Sequence, residues 1–397
     1  MVEKDSVYAE NLVREKKAFS LKVLEQLGYT NYSFTFAHWF FGRFLGLISL
    51  FAFLSYWIQA DALIGANGIS PWTEDLYKIE NLTEQDPSLS KFSLRPTLLW
   101  LSIPGGHTTL FVIGSLSSLA LTLGWVPLAS AIFSYVTYLS LMVVGEPFLS
   151  FQWDILLVES LLLSLPFLPM VRFHRLGSKV YFSHWSRILV IALLAKLMFA
   201  SGIVKFTSFA GDGTNTWREL TALEYHYWTQ PLPHGFSRWI HSLPSWFDSL
   251  SLYFMYLIEL ALPLCFFLPG NARRVALIGQ VVLQVAILLS GNYGFFNLLT
   301  LCLCIPLVDD QVIPSAINNR FSKSTTGTTA SKSAFRTPVL FLLFSVFLTT
   351  CYGHILNDLK GNKPIEEEYL EVPQWIQSLQ AEARVLRCFN SYGLFRV

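Results

Sequence analysis

The sequence predicts an all-α fold: a polytopic transmembrane helix bundle of about nine spans. Three observations carry that expectation. Only 14% of the 397 residues are charged while 53% are hydrophobic, against about 25% charged in an ordinary soluble domain. The mean hydropathy is +0.45. Apolar stretches near the roughly 20 residues needed to cross a bilayer recur along the chain. Their ends carry Trp57, Trp72, Trp100, Trp125, Trp185, Trp228, Trp239 and Trp246, placed as interfacial anchors are.

The spans are expected at Phe36–Ile58, His107–Trp125, Val126–Gly145, Phe151–Pro169, Trp185–Phe206, Asp248–Leu268, Ala272–Ser290, Asn292–Val308 and Thr337–His354. Tight junctions make 107–145 and 272–308 helical hairpins. Pro166, Pro263 and Pro306 fall near span ends, where a missing N–H does least damage. Met1–Thr35 is polar and charged and does not read as a cleavable signal.

Basic residues orient the bundle. With the N-terminus cytoplasmic, fifteen Lys and Arg fall on the inner side, ten on the outer side and three within spans. That bias expects N-inside and C-outside. The expected organisation is then a cytoplasmic segment 1–35 and a membrane core 36–308 with outer loops 59–106 and 207–247. A cytoplasmic linker 309–336 holds the Ser/Thr-rich run Ser322–Ser333, the last span is 337–354, and an outer-side tail covers 355–397. The tail is amphipathic and expected to need another body to pack on. Net charge is +1, which gives no footprint for nucleic acid.

Six ionisable side chains fall within spans: Arg43, Lys196 and Lys205 against Asp154, Glu159 and Glu259. A charge at such depth costs about 2.5–3.5 kcal/mol on insertion scales, so partners are expected. Matching depths along the fourth and fifth spans pairs Asp154 with Lys205 and Glu159 with Lys196. Nine residues separate the two lysines, about half a turn in azimuth, so one of them has reason to prefer another partner. Such pairs either neutralise one another or leave Lys205 free to act on a ligand beneath the outer loop, as a base with a lowered pKa. Glu224 and His226 would then be the accompanying acid/base candidates. They lie two apart, so on a helix they point different ways.

Other chemistry has little to rest on. The histidines show no ligand spacing, so no metal is expected. Cys302 and Cys304 lie in an apolar span and read as core thiols. Nucleotide-binding and nucleophile-elbow motifs are absent from the sequence, and no cofactor is implied.

Several stretches together resemble the lipase maturation factor family: IGANGISP (64–71), FLSFQWDILLVE (148–159), FASGIVKF (199–206), WRELTALEYHYWTQPLP (217–233), ELALP (259–263), LSGNYGFFNLLTLCLCIPLVDD (289–310) and FNSYGLFRV (389–397). The motif residues are Gln152, Trp153, Asp154, Trp217, Tyr225, His226, Tyr227, Gln230, Pro231, Asn292, Tyr293 and Asn297. The resemblance implies a membrane-embedded folding factor in the endoplasmic reticulum if the host is eukaryotic, or the inner membrane if bacterial. Its implied partners are membrane lipid and a secreted, lipase-like client. More distantly the core is similar to the vitamin K-dependent gamma-carboxylase group, in which a GVKK-like stretch carries a catalytic lysine. Here Gly202-Ile203-Val204-Lys205 is followed by Phe206, which departs from that pattern. The family continues past NSYGLFR into a soluble domain, so 355–397 is expected to be the start of a truncated one. The leading expectation is a maturation factor, with a membrane enzyme using Lys205 as the alternative and a transporter behind it.

Overall fold

In a computed structural model of the chain the structure describes residues 31–178, 180, 182–230, 233–315, 317, 336–360 and 371–393. Most of the expected segments 1–35 and 309–336, residues 361–370 of the tail and Pro231 lie outside the described residues. Regular structure among the described residues is helical, apart from one isolated bridge between Trp125 and Phe173.

Each expected span coincides with a helix. These are α1 (Thr35–Leu63), α3 (Gly106–Leu123), α4 (Pro127–Val144), α5 (Gln152–Ser164), α6 (His184–Thr207), α9 (Ser245–Cys265), α10 (Asn271–Ser290), α11 (Phe296–Cys304, extended by a 3₁₀ turn to Leu307) and α12 (Arg336–Lys360). Between them lie α2 (Trp72–Gln85), α7 (Ala222–Thr229) and α8 (Gly235–His241), and α13 (Gln374–Ala383) follows. Seven of the nine are long and apolar enough to cross a membrane. The exceptions are α5, with 13 residues, and α11, with 9. At 1.5 Å per residue α5 reaches only about 20 Å.

Packing follows from side-chain size. Gly46 lets α1 lie against α3 backbone to backbone, since a Cβ there would stand 2.5 Å from the Thr122 amide nitrogen. Small residues at a helix crossing permit such approach in a membrane. Ser118 and Ser134 hydroxyls meet at 3.1 Å across α3 and α4. The short helices α5 and α11 occupy the middle and touch α6, with α11 also against α1. Helix α6 is the most enclosed span.

The two ends of the bundle differ. One end carries residues 59–106 and 207–247 and is the loop-rich end. At the other, the Asp310 carboxylate accepts the amides of Thr35 and Phe36 at 2.9 and 3.0 Å, filling the open N-terminus of α1. Asp309 accepts from Arg273 at 2.8 Å and Arg274 at 3.0 Å. Burial alone would raise Asp309, but the hydrogen bonds from Arg274 and Arg273 outweigh it and hold its carboxyl below the usual range.

Two expectations change here. Among the described residues Arg43 meets no carboxylate: it donates to the carbonyls of Trp39 and His174 and lies 4.2 Å from the Trp39 ring centroid. A guanidinium near a helix end can satisfy carbonyls in place of an anion. The described residues of the tail pack on the bundle itself. Helix α13 packs on α12, and residues 384–393 turn back into the bundle, where Tyr392 is fully buried.

Candidate functional site

The polar residues of the loop-rich half converge on the C-terminal end of α6. Lys205, in its last turn, is 4% exposed and donates to both oxygens of Glu259 at 2.6 and 2.7 Å. The expected pairing with Asp154 does not form. Asp154 instead takes the Tyr138 hydroxyl at 2.6 Å from the first turn of α5, a position where the helix dipole favours an anion. Lys196 donates to Glu159 at 2.8 Å. The half-turn between the lysines sends Lys205 toward α9 and Lys196 toward α5.

Local sequence explains how Glu259 reaches Lys205. Residues Leu257–Ala261 of α9 form a π-helical turn just before Pro263. Proline lacks the N–H that would bond the carbonyl four residues back, and its ring crowds that carbonyl. The Ile258 carbonyl in this turn takes a hydrogen bond from Gln280 Nε2 at 3.1 Å. Gly202 lets the turn close on α6: a Cβ there would lie 2.6 Å from Leu260 and 3.2 Å from Glu259 Cβ.

From the ion pair a chain of contacts runs to the loops. Lys205 Nζ lies 5.4 Å from the Trp217 ring centroid, and that ring lies 5.9 Å from His226. His226 Nε2 and the Tyr293 hydroxyl are 2.6 Å apart, and Tyr293 donates to Gln230 Oε1 at 3.3 Å. A neutral His226 protonated on Nε2 satisfies both contacts. Burial and then the nearby Lys205 charge push the His226 pKa down to about 4. Gln230 also donates to Ser237 and to the Ser290 carbonyl, at 2.9 and 2.8 Å. Deeper, Asn297 donates to Gln284 at 2.8 Å. Asn215 ties the loop down by donating to the carbonyls of Lys205 and Ser208.

Not every expected residue joins. Glu224 and Tyr225 are exposed on α7, so Glu224 turns away from Lys205. Trp153 stacks on Phe151 at 4.6 Å, and Asn292 accepts from the Gly294 amide. Gln152 accepts from the Gly393 amide at 3.3 Å, and Tyr227 is buried at the loop base. A pocket of about 170 Å³ opens between α7 and α8, lined by Tyr227, Trp228, His234, Arg238 and His241 among others. Lys205 is not on its wall. Sequence reasoning missed Tyr138, Gln280 and Gln284 because it sought only ionisable groups. Two glutamines four apart in an apolar helix were the available signal.

A family model described as the lipase maturation factor transmembrane domain matches residues 36–315. The chain belongs to the lipase maturation factor family. It is 41% identical to lipase maturation factor 2 of Xenopus tropicalis, over 67% of this chain and 38% of that protein. With human lipase maturation factor 2 the identity is 36% over 78% of this chain and 45% of that protein. With human lipase maturation factor 1 it is 28%, over 68% and 47%. The chain thus spans less than half the length of these curated relatives. No solved structure matches it. The family match and the apolar helices make it a multi-pass membrane protein.

Two outcomes test the site. Glu259→Gln leaves a buried ammonium without its counter-charge and should cost about 3–5 kcal/mol of stability. Lys205→Met combined with Glu259→Gln should recover most of that loss. Denaturation of the detergent-solubilised protein measures both, and additive losses would show that the pair is not coupled. For His226, whose pKa falls from 6.5 to about 4 on folding, the neutral form belongs to the fold. Its contribution is complete above pH 6.5 and is lost as pH falls toward about 4. The melting-temperature gap between wild type and His226→Gln should therefore narrow from pH 7.5 to 4.5. A constant gap would contradict a neutral, half-buried imidazole.

Proposed function

We propose that this chain is the membrane core of a maturation factor that supports folding of secreted, lipase-like proteins. The observation that carries the reading is the family match across residues 36–315, which includes every element of the Lys205 network. The names of the relatives refer to lipase maturation, and the client class is taken from them. The protein works from the endoplasmic reticulum membrane, with its loop-rich end toward the lumen, as the basic-residue bias favours. On that end α7 and α8 present Tyr225, Trp228 and Trp239, a half-apolar surface suited to the bilayer interface.

The sealed ion pair favours a scaffold over a base. A general base must reach its substrate within hydrogen-bond distance and hold a free lone pair. Lys205 is buried and engaged by both carboxylate oxygens of Glu259. Its role in this reading is to fix α9 to α6, so that the loops between them keep one geometry.

Rescue of lipase secretion in cells lacking the endogenous factor tests the reading. Wild type should restore active lipase in the medium. The Lys205→Met/Glu259→Gln double variant should restore it to within about threefold, since by the buried-pair argument a neutral replacement keeps the helix contact. A double variant that accumulates normally yet restores nothing would put chemistry at Lys205. Failure of the wild type at normal abundance would remove the maturation role from this chain. Orientation has its own measurement on the natural sequon Asn81-Leu82-Thr83. Lumenal placement predicts an endoglycosidase-sensitive mobility shift that Asn81→Gln abolishes; an unmodified Asn81 in microsomes that glycosylate a control would count against the orientation.

A further inference from the structure

Residues 384–393, a 3₁₀ turn (Arg384–Leu386) followed by irregular chain, enter the bundle from the loop-rich end between α4, α5, α6 and α12. Glu159 is the eighth residue of α5, about 10 Å below the start of that helix, and the tail reaches it. The Tyr392 hydroxyl donates to Glu159 Oε2 at 2.7 Å. The main-chain and side-chain nitrogens of Asn390 donate to the same oxygen at 3.2 and 3.3 Å. Lys196 holds the other oxygen and lies 5.2 Å from the Tyr392 ring centroid.

The cleft reads this segment mostly through its backbone. His354 Nε2 bonds the Phe389 carbonyl at 2.8 Å, and Tyr135 donates to the Leu386 carbonyl at 3.1 Å. Gln152 accepts the Gly393 amide. With the Asn390 amide on Glu159, four main-chain groups of an irregular segment are satisfied by side chains of the bundle. Backbone without secondary structure is tolerated at such depth only where protein covers it and meets its polar groups.

The segment is also strained. Arg387 and Phe389 have φ of 47° and 62°, a left-handed conformation disfavoured for residues with a Cβ and held only where surrounding contacts over-determine it. Local propensity therefore opposes the docked form, and the contacts just described impose it. A terminal segment held against its own backbone preference by side chains of other elements opens before the helices that it rests on.

We propose that residues 384–393 are a releasable plug. Docked, they close a polar cleft of the bundle; withdrawn, they leave the Glu159–Lys196 pair open toward the loop-rich end, lined by groups that bind extended peptide backbone. The plug couples whatever occupies that face to the membrane core.

Native cysteines test the proposal. Cys388 lies in the plug and is 2% exposed, while Cys302 and Cys304 lie in the central helix α11 at 0% and 2%. The detergent-solubilised full chain is treated with a membrane-impermeant maleimide, and each site is followed by mass spectrometry. A releasable plug predicts that Cys388 reacts at least ten times faster than Cys302 and Cys304. Tyr392→Phe, which loosens the Glu159 contact, and Tyr135→Phe, which leaves Glu159 untouched, should each raise the Cys388 rate at least threefold and leave the α11 cysteines unchanged. Cys388 reacting in step with Cys302 and Cys304, or a Cys388 rate that neither variant raises, would overturn the proposal and make the segment an integral part of the core.

Discussion

The bundle depends on one constraint: each ammonium that α6 carries into the apolar interior must find a carboxylate on another helix. Helix α6 carries two ammonium groups half a turn apart and meets both demands at once. Lys196 faces α5 and takes Glu159, while Lys205 faces α9 and takes Glu259. Each pair is a strong geometric requirement, because an unpaired partner costs several kcal/mol while the pair itself contributes little net stability. The pairs therefore select an arrangement more than they strengthen one. They place α6 between the two halves of the bundle and leave it no freedom to rotate.

Selection of this kind explains the local irregularities around each pair. Glu259 reaches Lys205 from a π-helical turn, the rare helix form often found at functional sites. Its neighbours accommodate it: Pro263 ends the regular ladder, Gln280 takes the Ile258 carbonyl, and Gly202 removes the side chain that would keep α9 away. On the other face, Glu159 would keep an unsatisfied oxygen without Asn390 and Tyr392. Both pairs thus bind together segments far apart in sequence, and both draw on motifs that the sequence comparison with the family had marked: FASGIVKF, ELALP and FNSYGLFRV.

Much of this was readable from residues alone, and the misses have physical causes. Apolar runs located nine helical segments, of which seven are long and apolar enough to cross a membrane and two, α5 and α11, are shorter than the expected spans. The azimuth of Lys196 and Lys205 foretold that they face different partners. Depth matching along α5 and α6 put Asp154 opposite Lys205, and there it failed. Depth is a one-dimensional property, whereas partner choice depends on which helix lies across each face, and Asp154 faces Tyr138 on α4. The tail was unreadable for a related reason. Past α13, the place of residues 384–393 is set by acceptors and donors on α4, α5 and α12. Glu224 and His226 were grouped by proximity in sequence; α7 turns one outward and sets the other, half-buried, against Tyr293.

The short helices α5 and α11 show where that tertiary information accumulates. Both are enclosed by longer helices, and both begin at the loop-rich end: α5 at Gln152 and α11 at Phe296. A helix of 13 residues leaves about 10 Å of a 30 Å apolar layer without regular structure. Lipid cannot fill that gap beside bare backbone, so protein must. Over α11 the fill is His226 and Gln230 of the 207–247 loop, clustered with Tyr293 just before α11. Over α5 it is the 384–393 segment, anchored on Gln152 and Glu159. The motifs QWD and GNYGFFN mark the tops of the two truncated helices, and WRELTALEYHYWTQPLP and FNSYGLFRV supply the pieces seated on them. What the family motifs specify is thus a pair of recesses and their fillings. The filling over α11 reaches a buried ion pair through the Trp217 ring; that over α5 is hydrogen-bonded to one directly and holds two of its own residues at positive φ to do so, so the recess above Glu159 is closed by side-chain contacts against the local backbone preference.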